Sequence, residues 1–198
     1  MKKINSSQVE ERFLNTLLEI SETIKKNSER ININQILKLI DMIIDVDSSN
    51  GMIFIYGAGR SGFIGRCFAQ RLMHLGITSC FISDAVTYRY RKEDLLIIIS
   101  GSGATTSPLA IAEKANEIGG KIALFTGNPS SAIGNLSDLI IQIEGKSKDQ
   151  AISLKTLAPF TSLFDISTLA ILDSIGASLM GKLNITETDI DKRHASIE

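Results

Sequence analysis

Two stretches of this chain collect residues that can grip an anion. "GAGRSGFIGR" (57–66) follows the apolar run "MIFIY" (52–56), and "SGSGATTS" (100–107) follows "LLIII" (95–99). Glycine lets a backbone approach a bound group closely, and the hydroxyls of Ser61, Ser100, Ser102 and Thr105 can each donate a hydrogen bond to a phosphate oxygen. A helix starting directly after each turn adds unpaired N–H groups and the positive end of its dipole. The chemistry that this pattern suits is the capture of a phosphoryl group.

Other phosphate ligands fit less well. Gly57, Gly59 and Gly62 match G-x-G-x-x-G, and Asp84 lies 22 residues past Gly62, where a dinucleotide fold keeps its ribose-binding acid. A second cradle, however, stands where a nicotinamide pocket should be open, and the chain leaves no room for a large second catalytic domain. Neither turn ends in G-K-[ST], which argues against a nucleoside triphosphate. Two ordinary strand-to-helix turns would account for the glycines but not for four clustered hydroxyls. Arg60 either reinforces the phosphate site or pairs with a carboxylate at the surface.

The elements that must position these turns follow from periodicity. Val9, Phe13, Leu17, Ile20 and Ile24 mark one stripe of a helix, and Ile33, Ile36, Ile40 and Ile43 mark a second. Short strand-like runs come next: 52–56, "SCFI" (79–82), 95–99, "KIALF" (121–125) and "LIIQI" (139–143). Helical stretches are expected at 62–75, 107–118 and, more briefly, 129–135, with Ser107-Pro108 as the entry to the second of these and Gly119-Gly120 as its exit. Near-continuous apolar strands alternating with helices imply an α/β fold with a parallel sheet covered on both faces. Residues 162–181 read as one long helix, apolar on most sides, and "TETD" (186–189) as a capping box before a short last helix carrying His194. The expected organisation is one domain over 1–198, with a core of about 31–181. The helix at 7–27 and the tail 182–198 are expected at subunit interfaces.

Bulk properties narrow the function classes. The 198 residues carry 22% charged side chains, only three prolines and a net charge of −1. No positive field favours nucleic acid or anionic membranes. The "YRYR" run (88–91) therefore reads as a substrate-rim or subunit contact rather than a nucleic-acid reader. Cys67 and Cys80 form no C-x-x-C pair, "MKKINSSQVEERF" has no apolar leader core, and the uncharged run 95–112 is broken by "SGSGATTSP". A cytoplasmic protein without disulfides or membrane partner is expected. Two distant histidines and no acidic cluster of ligand type argue against a metal site.

"GAGRSGFIGRCFAQRLMHLG" (57–76), "SGSGATTS" (100–107), "KDQ…SLKTLAPFTSLFD" (148–165) and "RHASIE" (193–198) resemble the 6-phospho-3-hexuloisomerases of the sugar-isomerase (SIS) domain superfamily. The resemblance implies a five-stranded parallel sheet between helices in a three-layer α/β/α arrangement, with helical N-terminal and C-terminal extensions. It implies a homo-oligomer, with a tetramer favoured and a dimer as the alternative, and no cofactor. The implied ligand is a small phosphorylated sugar, and the implied reaction interconverts D-arabino-hex-3-ulose 6-phosphate and fructose 6-phosphate. That reaction serves formaldehyde fixation (the ribulose monophosphate route) or pentose supply.

By the same resemblance the phosphate site comprises Ser61, Ser100, Gly101, Ser102, Gly103, Ala104 and Thr105, with Gly59, Arg60 and Asp84 in support. Asp165 stands where the family has the glutamate that moves the proton, and His194 matches a histidine of the family's tail.

Moving a carbonyl from C3 to C2 takes a proton from C2 and returns one at C3 through an enediolate. One carboxylate above the C2–C3 bond can do both. A 3-hexulose phosphorylated on O6 cannot close a five-membered ring onto its carbonyl, so His194 suits an oxygen-facing donor better than a ring opener. Plainer readings stand beside these. Asp165 also suits a first-turn carboxylate favoured by a helix dipole, His194 a surface residue, and His74 a packing or interface histidine. A non-catalytic sugar-phosphate sensor, or an isomerase of another phosphosugar, would use the same pocket. DNA-binding regulators of this superfamily add a basic recognition domain, whereas residues 1–50 hold seven Lys/Arg against eight Asp/Glu.

Overall fold

The computed structural model describes residues 5–145 and 156–196. Parts of the quoted resemblance, in 146–155 and 197–198, lie outside the described residues. Helix α1 (Ser6–Arg30) opens on a capping box between Asn5 and Gln8, and α2 (Ile33–Ser48) follows with Asn32 as its cap. The chain then alternates through β1 (Ile53–Gly57), α3 (Arg60–His74), β2 (Ser79–Phe81), β3 (Leu95–Ile99), α4 (Thr106–Ile118), β4 (Lys121–Thr126) and β5 (Leu139–Gln142). Two helices close it, α5 (Ser162–Lys182) and α6 (Glu187–Arg193). The Thr186–Asp189 capping box that starts α6 is the one expected at "TETD".

All four strand pairings are parallel, in the order β2-β1-β3-β4-β5. Side chains alternate across the sheet as the two-residue period requires. Ile53, Ile55, Leu95, Ile97, Ile99, Ala123 and Phe125 enter one core beneath α2, α3 and α5. Phe54, Leu96, Ile98, Ile122 and Leu124 enter a second core on the opposite face, closed by α4. The three-layer arrangement is thus the one expected.

Two local expectations change. In place of the helix expected at 129–135 only a single 3₁₀ turn forms, at Gly134–Leu136. There the Ser131 hydroxyl accepts from the Gly134 N–H, and such side-chain bonds compete with a helical ladder. Helix α4 is capped by Thr105 rather than Ser107. Pro108 then falls within the first turn, where its missing N–H costs nothing because that donor has no intrahelical partner.

Helix α5 is long and apolar enough in composition to cross a bilayer, yet half of its most apolar window is buried within the fold. It packs on α3, and α1 lies across it in turn. Helix α1 is also tied to the loops. Buried Asn27 donates to the Glu144 carbonyl and accepts from the Glu144 N–H, both at 2.7 Å. Glu19 Oε2 accepts from the Leu157 and Ala158 N–H groups at 3.0 and 2.7 Å, just ahead of α5. Tyr90 of the "YRYR" run packs edge-on against Phe54 and donates to the Lys121 carbonyl, so it serves the fold.

Ile97 sits at the centre of β3 with no exposed surface. Ile97→Ala should destabilise the protein by about 2–5 kcal/mol, read as a lower urea midpoint with an unchanged m-value.

Candidate functional site

The strand order turns around between β1 and β3. From β1 the chain crosses to β2 at one edge, then returns to β3 on the other side of β1. Helix α3 therefore lies on one face and α4 on the other, and their N-termini open a crevice at the carboxyl ends of β1 and β3. A cavity of about 330 Å³ lies there, lined by Ala58, Gly59, Arg60 and Ser61 after β1 and by Ile99, Ser100, Gly101, Ser102 and Thr105 after β3. The start of α5 closes it with Phe160, Thr161 and Phe164, and Pro108 completes the wall. Three helix N-termini thus meet on one hollow.

The glycines of the first turn have separate tasks. Gly59 has φ +58, a left-handed conformation that side chains disfavour, and nothing lies within 4 Å of where its Cβ would be. Its backbone is left bare beside the cavity. At Gly62 a Cβ would stand 2.6 Å from the Gly57 carbonyl oxygen, so the helix can press onto the strand end only without one. The second turn is braced from inside. Ser102 Oγ lies 3.4 Å from Thr105 Oγ1 and accepts from the Ala104 N–H at 3.3 Å. Ser100, only 3% exposed, lines the cavity with an Oγ that has no hydrogen-bond partner among the described residues. A buried hydroxyl in that position is satisfied by a ligand or by water.

Asp165 is fully buried behind this wall, in the first turn of α5. Its Oδ2 accepts from Thr161 Oγ1 at 2.7 Å and from Arg60 Nε at 3.0 Å, and its Oδ1 accepts from Ser61 Oγ at 3.1 Å. The carboxylate joins the N-termini of α3 and α5, where both dipoles favour negative charge. The Arg60 side chain is nevertheless 62% exposed.

Not every expected residue reaches the cavity: Asp165, with no exposed surface, is not among the residues that line it. Gly103 has φ +63 and packs on Ser131, and Ala104 is exposed; neither lines the hollow, because the turn needs one residue doubled back and one at its outer bend. Asp84 pairs with Arg66 beyond β2, the edge strand, one strand away from the crevice. His194 stacks on His74, with ring centroids 5.2 Å apart and planes at 22°. His74 is the last of the 15 residues of α3, about 22 Å along the axis from the cavity end. Within one protomer His194 and the cavity occupy opposite ends of that helix. Thr161 falls within the quoted stretch 148–165, but the sequence alone assigns it no role. Its signal is the spacing to Asp165, one helical turn, at which side chains share a face.

The sequence and the fold both have known relatives. The model of the SIS domain family matches residues 48–170. A 3-hexulose-6-phosphate isomerase of Methanocaldococcus jannaschii is 41% identical over 164 residues, covering 83% of this chain and 84% of that protein. A 3-hexulose-6-phosphate isomerase of Bacillus subtilis is 40% identical, covering 80% of this chain and 86% of its own length. A crystal structure from Methanococcus jannaschii, for which a 3-hexulose-6-phosphate isomerase function was inferred, superposes with a TM-score of 0.79 at 37% identity, over 93% of this chain and 98% of that one.

Burial, then the neighbouring His194 and Arg71, hold the His74 imidazole below the ordinary histidine pKa. The unfolded chain therefore takes up protons near pH 6.5 before the folded chain does. Stability should be full above about pH 6.5 and decline as the pH falls through the lower, folded value. Urea unfolding across that window should show this slope in the parent and lose it in His74→Asn.

Proposed function

The chain belongs to the SIS domain family, and on that footing we propose that it is a sugar-phosphate isomerase whose substrate is a 3-hexulose 6-phosphate interconverting with fructose 6-phosphate. The observation that carries this reading is the meeting of three helix N-termini around a cavity lined by hydroxyls, one of them buried and unpartnered among the described residues. A phosphate dianion there draws N–H donors from α3 and α4 and hydroxyl protons from Ser61, Ser100, Ser102 and Thr105. Gly59 and Gly101 let the backbone come close. Anchoring one end of an open-chain sugar fixes which carbons face the remaining wall.

On this reading Asp165 moves the proton between C2 and C3. It comes from the one helix terminus that the phosphate turns do not use, and its orientation is held by Thr161 and Arg60. An aspartate is one methylene shorter than the glutamate of the resembled family. The close approach of α5, whose Phe164 Cδ1 stands 3.3 Å from the Cβ position of Gly101, brings its first turn toward the second phosphate turn. His194 belongs to this mechanism only as a donor to the cavity of a neighbouring copy, given its distance from its own.

A homo-oligomer, with four copies favoured over two, accords with the apolar stripe that α1 leaves open. Val9, Phe13, Leu14, Leu17 and Leu18 are all more than half exposed in a single chain. Exposed apolar surface of this extent on one helix marks an interface.

A coupled assay should detect fructose 6-phosphate formed from 3-hexulose 6-phosphate. Asp165→Asn should lower kcat by about 10²–10⁴-fold while a sugar phosphate still binds. Ser102→Leu should instead raise KM by about 10-fold or more through loss of a charge-assisted hydrogen bond. Binding without turnover in the parent would point to a sensor, and turnover that survives Asp165→Asn would remove that residue from the chemistry. Light scattering at micromolar concentration should find an oligomer, with a smaller species of unchanged helical content for the double substitution Phe13→Glu, Leu17→Glu. A monomeric parent would overturn the assembly.

A further inference from the structure

The phosphate and the carboxylate of this site draw on the same donors. Ser61 has a single hydroxyl proton. It lines the cavity, yet the proton is given to Asp165 Oδ1 at 3.1 Å. Among the described residues Oδ1 accepts from no other side chain, whereas Oδ2 is held twice, by Thr161 Oγ1 at 2.7 Å and by Arg60 Nε at 3.0 Å. The two oxygens of the carboxylate are thus unequally engaged.

We propose that Ser61 is an exchange switch: a bound phosphate accepts its hydrogen bond and so releases Oδ1 of Asp165 as the oxygen that receives the substrate proton, while Thr161 and Arg60 keep Oδ2 fixed. The proposal rests on the phosphate reading of the cavity given above. Its chemistry balances without any added reactant. The Ser61 O–H bond is never broken; its hydrogen bond turns from Oδ1 to a phosphate oxygen. Oδ1 then takes the C2 proton, leaving the electron pair in the enediolate; the O2 hydroxyl proton passes to O3, and Oδ1 returns its proton at C3.

Arg60 differs from Ser61 in having donors to spare. Its Nε bonds Asp165 while its side chain is 62% exposed, so its other N–H groups can bridge to a phosphate without leaving Oδ2. Thr161 is a positioning residue. It lies one turn before Asp165 on the same helix, and its hydroxyl sets the plane of the carboxylate. The arrangement couples the state of the base to occupancy, so that Oδ1 is unmasked only when a phosphorylated ligand is in place.

The test uses inorganic phosphate as the probe and calorimetry of the full chain as the readout. Asp165→Ala frees the Ser61 proton, so phosphate should bind about 10-fold more tightly than to the parent, the scale of one hydrogen bond to an ion. In a Ser61→Ala background the same Asp165→Ala step should gain less than about twofold, because no proton is left to release. An equal gain in both backgrounds would mean that only the negative charge mattered, and would overturn the exchange. Weaker binding in Asp165→Ala would mean that the carboxylate merely organises the turn, and would overturn it as well.

Near-ultraviolet circular dichroism checks the fold of each variant. If Asp165→Ala does not fold, Asp165→Asn keeps the shape and a weaker acceptor, and should show an intermediate gain that again depends on Ser61. Thr161→Val should lower kcat with KM unchanged, and Thr161→Ser should restore it; an equal rise in KM would refute the positioning role. Failure of the phosphate site itself reads differently. Phosphate that binds no variant removes both the cradle and the exchange, whereas phosphate lost in Ser102→Leu but indifferent to Asp165 keeps the cradle and refutes the exchange alone.

Discussion

The constraint on which the rest depends is the reversal of winding direction between β1 and β3. Parallel neighbours need a crossover connection, and the change of direction sends α3, which follows β1, and α4, which follows β3, to opposite faces. The strand ends at that point are then roofed by neither helix. What remains is a crevice whose walls are helix N-termini, rich in N–H groups that no intrahelical carbonyl can satisfy. Glycine and serine occupy those turns because only short side chains leave the donors accessible. The hollow follows from topology before any side chain is considered.

Such a crevice carries a strong positive bias, and in this chain Asp165 answers it. The carboxylate is fully buried, which would be costly for an isolated charge, but three donors from two helices surround it. The same contacts join α3 to α5 at the floor of the cavity. On the proposed function one group serves both structure and chemistry, and the plain reading of Asp165 as a first-turn carboxylate does not compete with the reading as a proton carrier. A base placed there is held in position by bonds that also make the wall.

The extensions contribute at a distance. Helix α1 fixes the chain ahead of α5 through Glu19 and steadies the end of β5 through Asn27, so a helix remote from the cavity sets the approach of Thr161 and Asp165. At the far end of α3, α6 returns to cover Gly76 with the Arg193 guanidinium and lays His194 on His74. These contacts anchor the helix that supplies Arg60 and Ser61.

Much of this is legible in the chain itself. Short, near-continuous apolar runs locate all five strands and helical periods the long helices, since both signals lie among neighbours a few residues apart. The glycine-and-hydroxyl turns are equally plain, and Ser61, Ser100, Ser102 and Thr105 do share one cavity. Thr161 is hidden because a threonine before a helix reads as a cap, and only the placed carboxylate shows its hydroxyl turned elsewhere. Asp84 fits a spacing rule for a dinucleotide site, and β2 does lie beside β1, but strand order puts the cavity between β1 and β3 and leaves Asp84 paired with Arg66 outside it. The remoteness of His194 from its own cavity is invisible for the same reason. Local sequence decides which residues form an element and which side they face; the order of strands, and hence which ends meet, is set by pairings between segments far apart in the chain.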